Sequence, residues 1–202
     1  MSFYSALVDP VLKEIRIRIP DFSAMKKGDK VLDICCGTGD QAFHYKKRDI
    51  VAVGIDLNPK MIETAEKRKE RERVKDVFFL SANAANLPFE DNFFDFASIS
   101  LALHEITRHM RDEIVSEMKR VVKEDGHLVF IDFSVPLPKK FNSFLVQSVE
   151  FLAGRKNFHN FKDYYDQGGL PFILKKNEQE EEKIEYLGRG LITVIKAKNS
   201  KN

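Results

Sequence analysis

The chain contains no tryptophan and only two cysteines among its 202 residues. Cys35 and Cys36 stand side by side, which suits neither a disulfide framework nor a four-ligand zinc site. They read as reduced thiols that pack, and no metal is expected. An excess of one charge is also missing: 33 basic against 31 acidic residues leave a net charge of +2. No global field would then gather nucleic acid or an anionic membrane, and the expected partner is a small molecule. Long apolar runs are absent too. Nothing approaches the ~20 apolar residues of a membrane helix, and the N-terminal MSFYSALVDPVLKEIRIRIP lacks an apolar stretch of signal-peptide length, so the cytoplasm is the expected compartment.

What remains is 43% hydrophobic, enough for one compact domain over 1–202. Apolar residues at helical spacing from Phe3 to Ile19 predict an N-terminal helical arm within 1–27, with Asp9-Pro10 restarting the helix. From residue 28 to about 135, runs rich in β-branched residues alternate with helical segments: VLDI, DQAFHYKKR, IVAVGID, NPKMIETAEKRKERE, DVFFLSA, FDFASISLAL, EITRHMRDEIVSEMKRVVKED and HLVFIDF. Gly126 is read as the stop of the last helix. Such alternation calls for parallel strands joined by crossover helices, an open doubly wound α/β sheet. The segment 136–182 is expected to supply acceptor-side helices or a cover, least regular from residue 153. Over 183–198, KIEYLGRGLITVIKAK predicts an antiparallel hairpin about Gly188-Arg189-Gly190.

The run VLDICCGTGD ends the first strand on an acid before a glycine-rich turn. In open α/β sheets ligands bind beyond the carboxyl ends of the strands, where strand order reverses. Gly37 and Gly39 remove side chains where backbone must approach a ligand, and a helix starting near Asp40 turns free N–H groups toward the same place. Gly37 to Ala42 also fits the GxGxxA form of the dinucleotide fingerprint, with Asp56 near the distance expected of a ribose-binding acid. A carboxylate at Asp33, with Asp40 beyond it, would repel a pyrophosphate, so a cationic ligand group fits better.

S-adenosylmethionine joins a ribose, an adenine and a positively charged amino-acid end. DICCGTGD, VGIDLNPKMIETA and ANAANLPFEDNFFD together resemble the ordered motifs of the class I S-adenosylmethionine-dependent methyltransferases, in the small-molecule branch similar to the ubiquinone/menaquinone-biosynthesis C-methyltransferases. The resemblance covers residues 28–135 and, more loosely, the terminal hairpin. It implies a Rossmann-like seven-stranded sheet, mostly parallel with an antiparallel C-terminal hairpin, and S-adenosylhomocysteine as product. It also implies that Asp33 holds the methionine ammonium, that Gly37 and Gly39 admit the cofactor, that Asp56 takes the ribose hydroxyls, and that Asn83, Ala84 and Ser100 border the cofactor. Cys35 stands where the family more often has a glycine, so the turn is expected to manage there without positive φ. Asn83 replaces the usual aspartate facing the adenine amino group. Leu57 and Met61 flank the adenine or face the core, the core being the simpler reading.

Transfer from a sulfonium needs alignment rather than a nucleophilic side chain. A phenol or acidic carbon acceptor would call for a base, and His104, just after the fourth strand in SLALHE, is the candidate beside its alternative as a packed helix-start residue. Eight of the 17 phenylalanines fall between 130 and 172. Phe133, Phe158, Phe161, Tyr164 and Tyr165 are candidates for an apolar acceptor pocket, whereas Phe141, Phe144 and Phe151 at helical spacing read as core. Phe3 and Tyr4 place the arm as a lid over the acceptor or as an ordinary packed helix. The competing functions are a non-catalytic S-adenosylmethionine-binding module and, less compatible with Asp33 and the hairpin, a nicotinamide-dependent oxidoreductase. Oligomeric state is not legible.

Overall fold

The computed structural model of the chain describes residues 3–138 and 158–201, with side chains from residue 12 onward. Helix α1 (Phe3–Phe22) leads into β1 (Lys30–Ile34), α2 (Asp40–Lys46), β2 (Val51–Asp56), α3 (Pro59–Glu72), β3 (Val77–Ser81) and β4 (Phe94–Ser100). A short 3-10 turn (Leu103–Glu105), α4 (Arg108–Val121) and β5 (Val122–Phe133) follow. Residues 158–167 form α5, and α6 (Gly169–Lys176), β6 (Glu180–Leu187) and β7 (Ile192–Lys198) complete the chain.

The seven strands lie in the order β3-β2-β1-β4-β5-β7-β6. The first five run parallel, and β7 pairs antiparallel with both β5 and β6. The sheet is thus doubly wound with an antiparallel terminal hairpin, as the alternation and the Gly-Arg-Gly turn predict. Strand order reverses between β1 and β4, and register there sets Asp33 opposite Ser98. With right-handed crossovers, α2 and α3 cover one face and α4 the other. Strands buried on both faces read as near-continuous apolar runs, so the core is sheet-centred on Leu32, Ile34, Ile55, Ile99, Phe130 and Ile195. Edge strand β6 carries Glu180, Glu181 and Glu182, all exposed, and such charges discourage pairing with another chain.

Three expectations are corrected. Helix α1 runs unbroken through Pro10 instead of restarting there, its C-terminal half anchored by buried Ile15, Ile19 and Phe22. The helix predicted through Asp125 ends at Val121, and β5 begins at Val122. Adjacent β-branched residues Val121 and Val122 are both fully buried, and Val122 pairs with Phe94 before the register shifts to Phe96 opposite His127. Sheet pairing thereby overrides the helical pattern. Gly126 is part of β5, not a helix stop. Finally, the described part of the region from residue 153 is a packed layer rather than a loose cover: Phe161, Tyr164, Leu170, Ile173 and Leu174 are buried. Left-handed Gly168 and Gly169 turn the chain between α5 and α6. The expected core residues Phe141, Phe144 and Phe151 lie outside the described residues. Among the described residues, no helix is long and apolar enough to cross a membrane.

A Cβ at Gly126 would lie 2.6 Å from both the Asp95 carbonyl oxygen and a Val122 methyl carbon. Gly126→Ala is therefore expected to destabilise the chain by about 1–3 kcal/mol, the range for overpacking. An unchanged urea midpoint would contradict that close approach.

Candidate ligand site at the switch point

The reversal of strand order places a cavity of about 260 Å³ above the end of β1. Of the residues singled out from the sequence, Asp33, Cys35, Gly37, Met61 and Ser100 line it. Arg16, Cys36, Thr38, Asp40, Gln41 and Leu101 line it as well. Thr38 was legible between its two glycines. Arg16 was not, because a basic residue between isoleucines in a helix reads as a solvated position until the fold brings α1 against α2.

The turn is built by left-handed backbone at Cys35 (φ 55°), Gly37 (φ 53°) and Gly39 (φ 81°). The expectation that residue 35 avoids positive φ is thus overturned: the loop keeps its left-handed shape and places a cysteine where a side chain makes it costly. Backbone bonds hold the shape, from Cys36 N–H to the Ile55 carbonyl (2.8 Å) and from Gly39 N–H to the Cys36 carbonyl (2.9 Å). Gly39 serves packing, since a Cβ there would come within 2.5 Å of the Phe79 ring. Among the described residues, nothing lies within 4 Å of a Cβ built at Gly37, so open space faces that backbone.

Asp56 ties the two loops together. One carboxylate oxygen accepts from Gly37 N–H and the other from Asn58 N–H, each at 2.9 Å. Asn58 in turn caps α3 by accepting from Lys60 N–H at 3.1 Å. Leu57 sits in this exposed link, 69% accessible, and Met61 is 39% accessible, so the core reading of both is corrected. Asn83 accepts from Ala85 N–H at 3.0 Å, and Ala84 packs against the core. The link that carries them is fastened to α4, where Arg120 donates to the carbonyls of Leu87 and Phe89.

Asp33 is the electrostatic centre of the cavity. It is 1% exposed; one oxygen accepts from the Ser98 hydroxyl at 3.1 Å, and the other has no hydrogen-bond partner among the described residues. Burial pushes its pKa up to about 7, opposed by Ser98 and Arg16 and reinforced by Asp40 and Asp56. Burial, with Asp56 and Asp33 behind it, pushes the Cys35 thiol to about 12 and raises that of Cys36 as well. Both stay protonated and are poor nucleophiles.

On the far side of β4, His104 is buried, and its Nδ1 lies 2.6 Å from Asp132. Phe133, Phe161 and Tyr164 surround the ring at centroid distances of 4.8, 5.8 and 6.4 Å. Tyr165 stacks on Phe161, and Phe158 is half-buried in α5. The side chain of Tyr4 lies outside the described residues. Asp132 was missed, although a lone acid inside the apolar run LVFIDF was a usable signal.

The unfolded chain gives up the Asp33 proton near the ordinary 3.8, the folded chain only near 7. Between these values the folded state binds more protons, so this group's contribution to stability falls as pH rises. Asp33→Asn removes the penalty. The ligand-free variant is expected to gain on the order of 2–4 kcal/mol over the parent chain between pH 4 and pH 8. Parallel unfolding curves at the two pH values would contradict the buried carboxylate.

Among known proteins, the chain is 31% identical over 173 residues to the ubiquinone/menaquinone biosynthesis C-methyltransferase UbiE of Francisella tularensis subsp. holarctica, covering 84% of this chain and 62% of that one. It is likewise 31% identical to a Bacillus cereus demethylmenaquinone methyltransferase, over 69% of this chain and 61% of the relative. The chain thus spans less than two thirds of the length of these relatives. In structure it is similar to a SAM-dependent methyltransferase from Aquifex aeolicus, with a TM-score of 0.68, 18% identity and 98% of each chain covered. A geranyl diphosphate C-methyltransferase from Streptomyces coelicolor gives 0.67 at 15% identity, over 94% of this chain and 81% of that one. The family model that matches residues 11–164 takes in the glycine turn, the Asp56 link and the buried histidine alike, and the chain belongs to the ubiE/COQ5 methyltransferase family.

Proposed function

We propose that the chain is an S-adenosylmethionine-dependent methyltransferase acting on a small apolar or aromatic acceptor by in-line transfer. The observation that carries this reading is Asp33, a buried carboxylate with one oxygen unpartnered among the described residues, bordering a cavity that Arg16 also lines. Such a group is stabilised by a ligand cation that restores its charge. A zwitterionic amino-acid end answers both charges, its ammonium toward Asp33 and its carboxylate toward Arg16. A nicotinamide dinucleotide offers this place a pyrophosphate, which the buried Asp33 carboxylate disfavours.

The remaining residues fit the same ligand. Gly37 and Thr38 present backbone to it. Each Asp56 oxygen already accepts one backbone N–H and keeps a second lone pair, so the carboxylate can both hold the loop and receive ribose hydroxyls. Met61, Leu57, Asn83 and Ala84 would border the adenine, with Cys35 and Ser100 on the cavity wall. When bound, the cofactor supplies a methyl group already activated on a sulfonium. The chain's own task is to hold the two reactants in line and keep water out, an effect worth up to ~7–11 kcal/mol.

The curated relatives are named for quinone biosynthesis, and an aromatic acceptor agrees with the ring cluster of Phe133, Phe161 and Tyr164 around His104. Phe158, Tyr165 and Tyr4 are proposed at its margin, with His104 as the residue that meets the acceptor proton. A reduced 1,4-naphthoquinone is a suitable test acceptor.

S-adenosylhomocysteine at about 100 times its Kd is expected to raise stability by about 2.7 kcal/mol, a melting shift of several degrees, while NAD produces none. A shift with NAD alone would overturn the reading. Arg16→Ala is expected to weaken S-adenosylhomocysteine binding by about 1.5–3 kcal/mol, the scale of a hydrogen bond to a charged group. 5′-Methylthioadenosine, which lacks the amino-acid end, should bind the variant and the parent chain equally; calorimetric titration of the two ligands checks this.

A further inference from the structure

We infer that His104 and Asp132 form a proton-accepting dyad, in which Nε2 of His104 takes the proton the acceptor loses and Asp132 is the positioning residue that aims the ring. This deepens the methyltransferase reading and rests on it.

Asp132 lies near the end of β5 and is fully buried. One oxygen sits 2.6 Å from His104 Nδ1 and accepts Phe133 N–H at 2.8 Å; the other accepts His104 N–H at 3.2 Å. An ionised carboxylate only accepts, so the hydrogen of the neutral ring belongs on Nδ1 and the free lone pair on Nε2. Edge-on contacts with Phe133, Phe161 and Tyr164 fix the plane of the ring. Among the described residues Nε2 has no hydrogen-bond partner; its nearest acid is Glu105, at 3.8 Å and half exposed. Asp132 thus holds the imidazole by one hydrogen bond and the backbone of His104 and Phe133 by two more, so the ring and the chain segments that carry it are fixed together.

Every charged neighbour of the ring bears on its proton. Burial opposes the imidazolium; Asp132 on β5 favours it by charge and hydrogen bond, Glu105 on the 3-10 turn favours it, and Arg111 on α4 opposes it. Arg111 is itself paired with Asp163 on α5, which also carries Tyr164. The balance raises the pKa of His104.

In the step, an electron pair of the acceptor forms the new bond to the methyl carbon, and the bond to the departing hydrogen breaks with its own pair left on the acceptor. The carbon–sulfur pair stays with sulfur, and the proton passes to Nε2, where Asp132 offsets the new charge. Glu105 leads it on to water.

The test is an NMR titration of the His104 ring in the full chain, combined with methyl transfer to reduced 1,4-naphthoquinone across pH. In the parent chain, the neutral ring is expected to carry its hydrogen on Nδ1 and to titrate above the ordinary value of about 6.5. Turnover should rise with pH through the same inflection. Asp132→Asn should move both inflections downward by a unit or more and cut turnover at least tenfold. His104→Gln should cut turnover about 100-fold, the usual scale of a positioned base. Both variants should bind S-adenosylhomocysteine as the parent chain does. A neutral ring protonated on Nε2, inflections unmoved by Asp132→Asn, normal turnover per folded His104→Gln molecule, or no transfer to the naphthohydroquinone by a parent chain that binds the cofactor product would each overturn the dyad. Failure of the parent chain to bind S-adenosylhomocysteine would instead remove the cofactor reading on which the dyad rests. Melting temperatures separate either result from a variant that does not fold.

Discussion

A carboxylate withdrawn from water at the end of β1 is the constraint around which this molecule is arranged. Asp33 lies where strand order reverses between β1 and β4, with a serine hydroxyl on one oxygen and, among the described residues, no hydrogen-bond partner on the other. Burial alone would favour the neutral acid, yet a cavity opens beside it with Arg16 on the wall. Arg16 is paired with Asp40 at 3.8 Å, and the unpartnered oxygen of Asp33 is the atom that the ammonium of the proposed ligand would meet. Stability and binding pull in opposite directions at one residue, as is common where a buried ionisable group serves a function.

Around that acid the loops are held by their own backbone. Asp56 joins the turn after β1 to the turn after β2 by accepting one N–H from each, and Asn58 continues the chain of bonds into α3. The left-handed conformations at Cys35, Gly37 and Gly39 make this geometry reachable. Phe79 reaches from β3 into the space left by the missing side chains of Gly39 and Gly54. The glycines therefore answer two demands: open space toward the cavity at Gly37 and close packing beneath it at Gly39. The high thiol pKa values of the vicinal cysteines belong to the same desolvated, acid-rich surroundings.

A second buried acid, Asp132, repeats the theme on the other side of β4. Here the partner is supplied by the chain itself, the imidazole of His104, and the aromatic rings of β5 and α5 close around it. One half of the switch point thus holds a carboxylate with one oxygen unpartnered among the described residues, and the other a histidine whose Nδ1 lies 2.6 Å from a buried acid. That division suits a reaction in which one reactant arrives activated and the other must lose a proton.

Much of this was legible along the chain. The alternation of β-branched runs and amphipathic helices specified parallel strands with crossovers, and the Gly188-Arg189-Gly190 turn specified the antiparallel end, because strand and helix periodicities are local properties. Asp33, the glycine turn and Asp56 were legible for the same reason: they lie at strand ends, where topology puts ligands. Other features needed the third dimension. Val122 was drawn from helix into β5 by pairing with Phe94, a contact between residues 28 positions apart in sequence. Leu57 was exposed by a cap on the next helix, and Cys35 was held left-handed by bonds around it that local preference opposes. Arg16 came to line the cavity and Asp132 to meet His104 only when α1 met α2 and β5 met β4. Periodicity determines which face of an element is apolar, but a lone charged residue takes its role from whatever the fold sets opposite it.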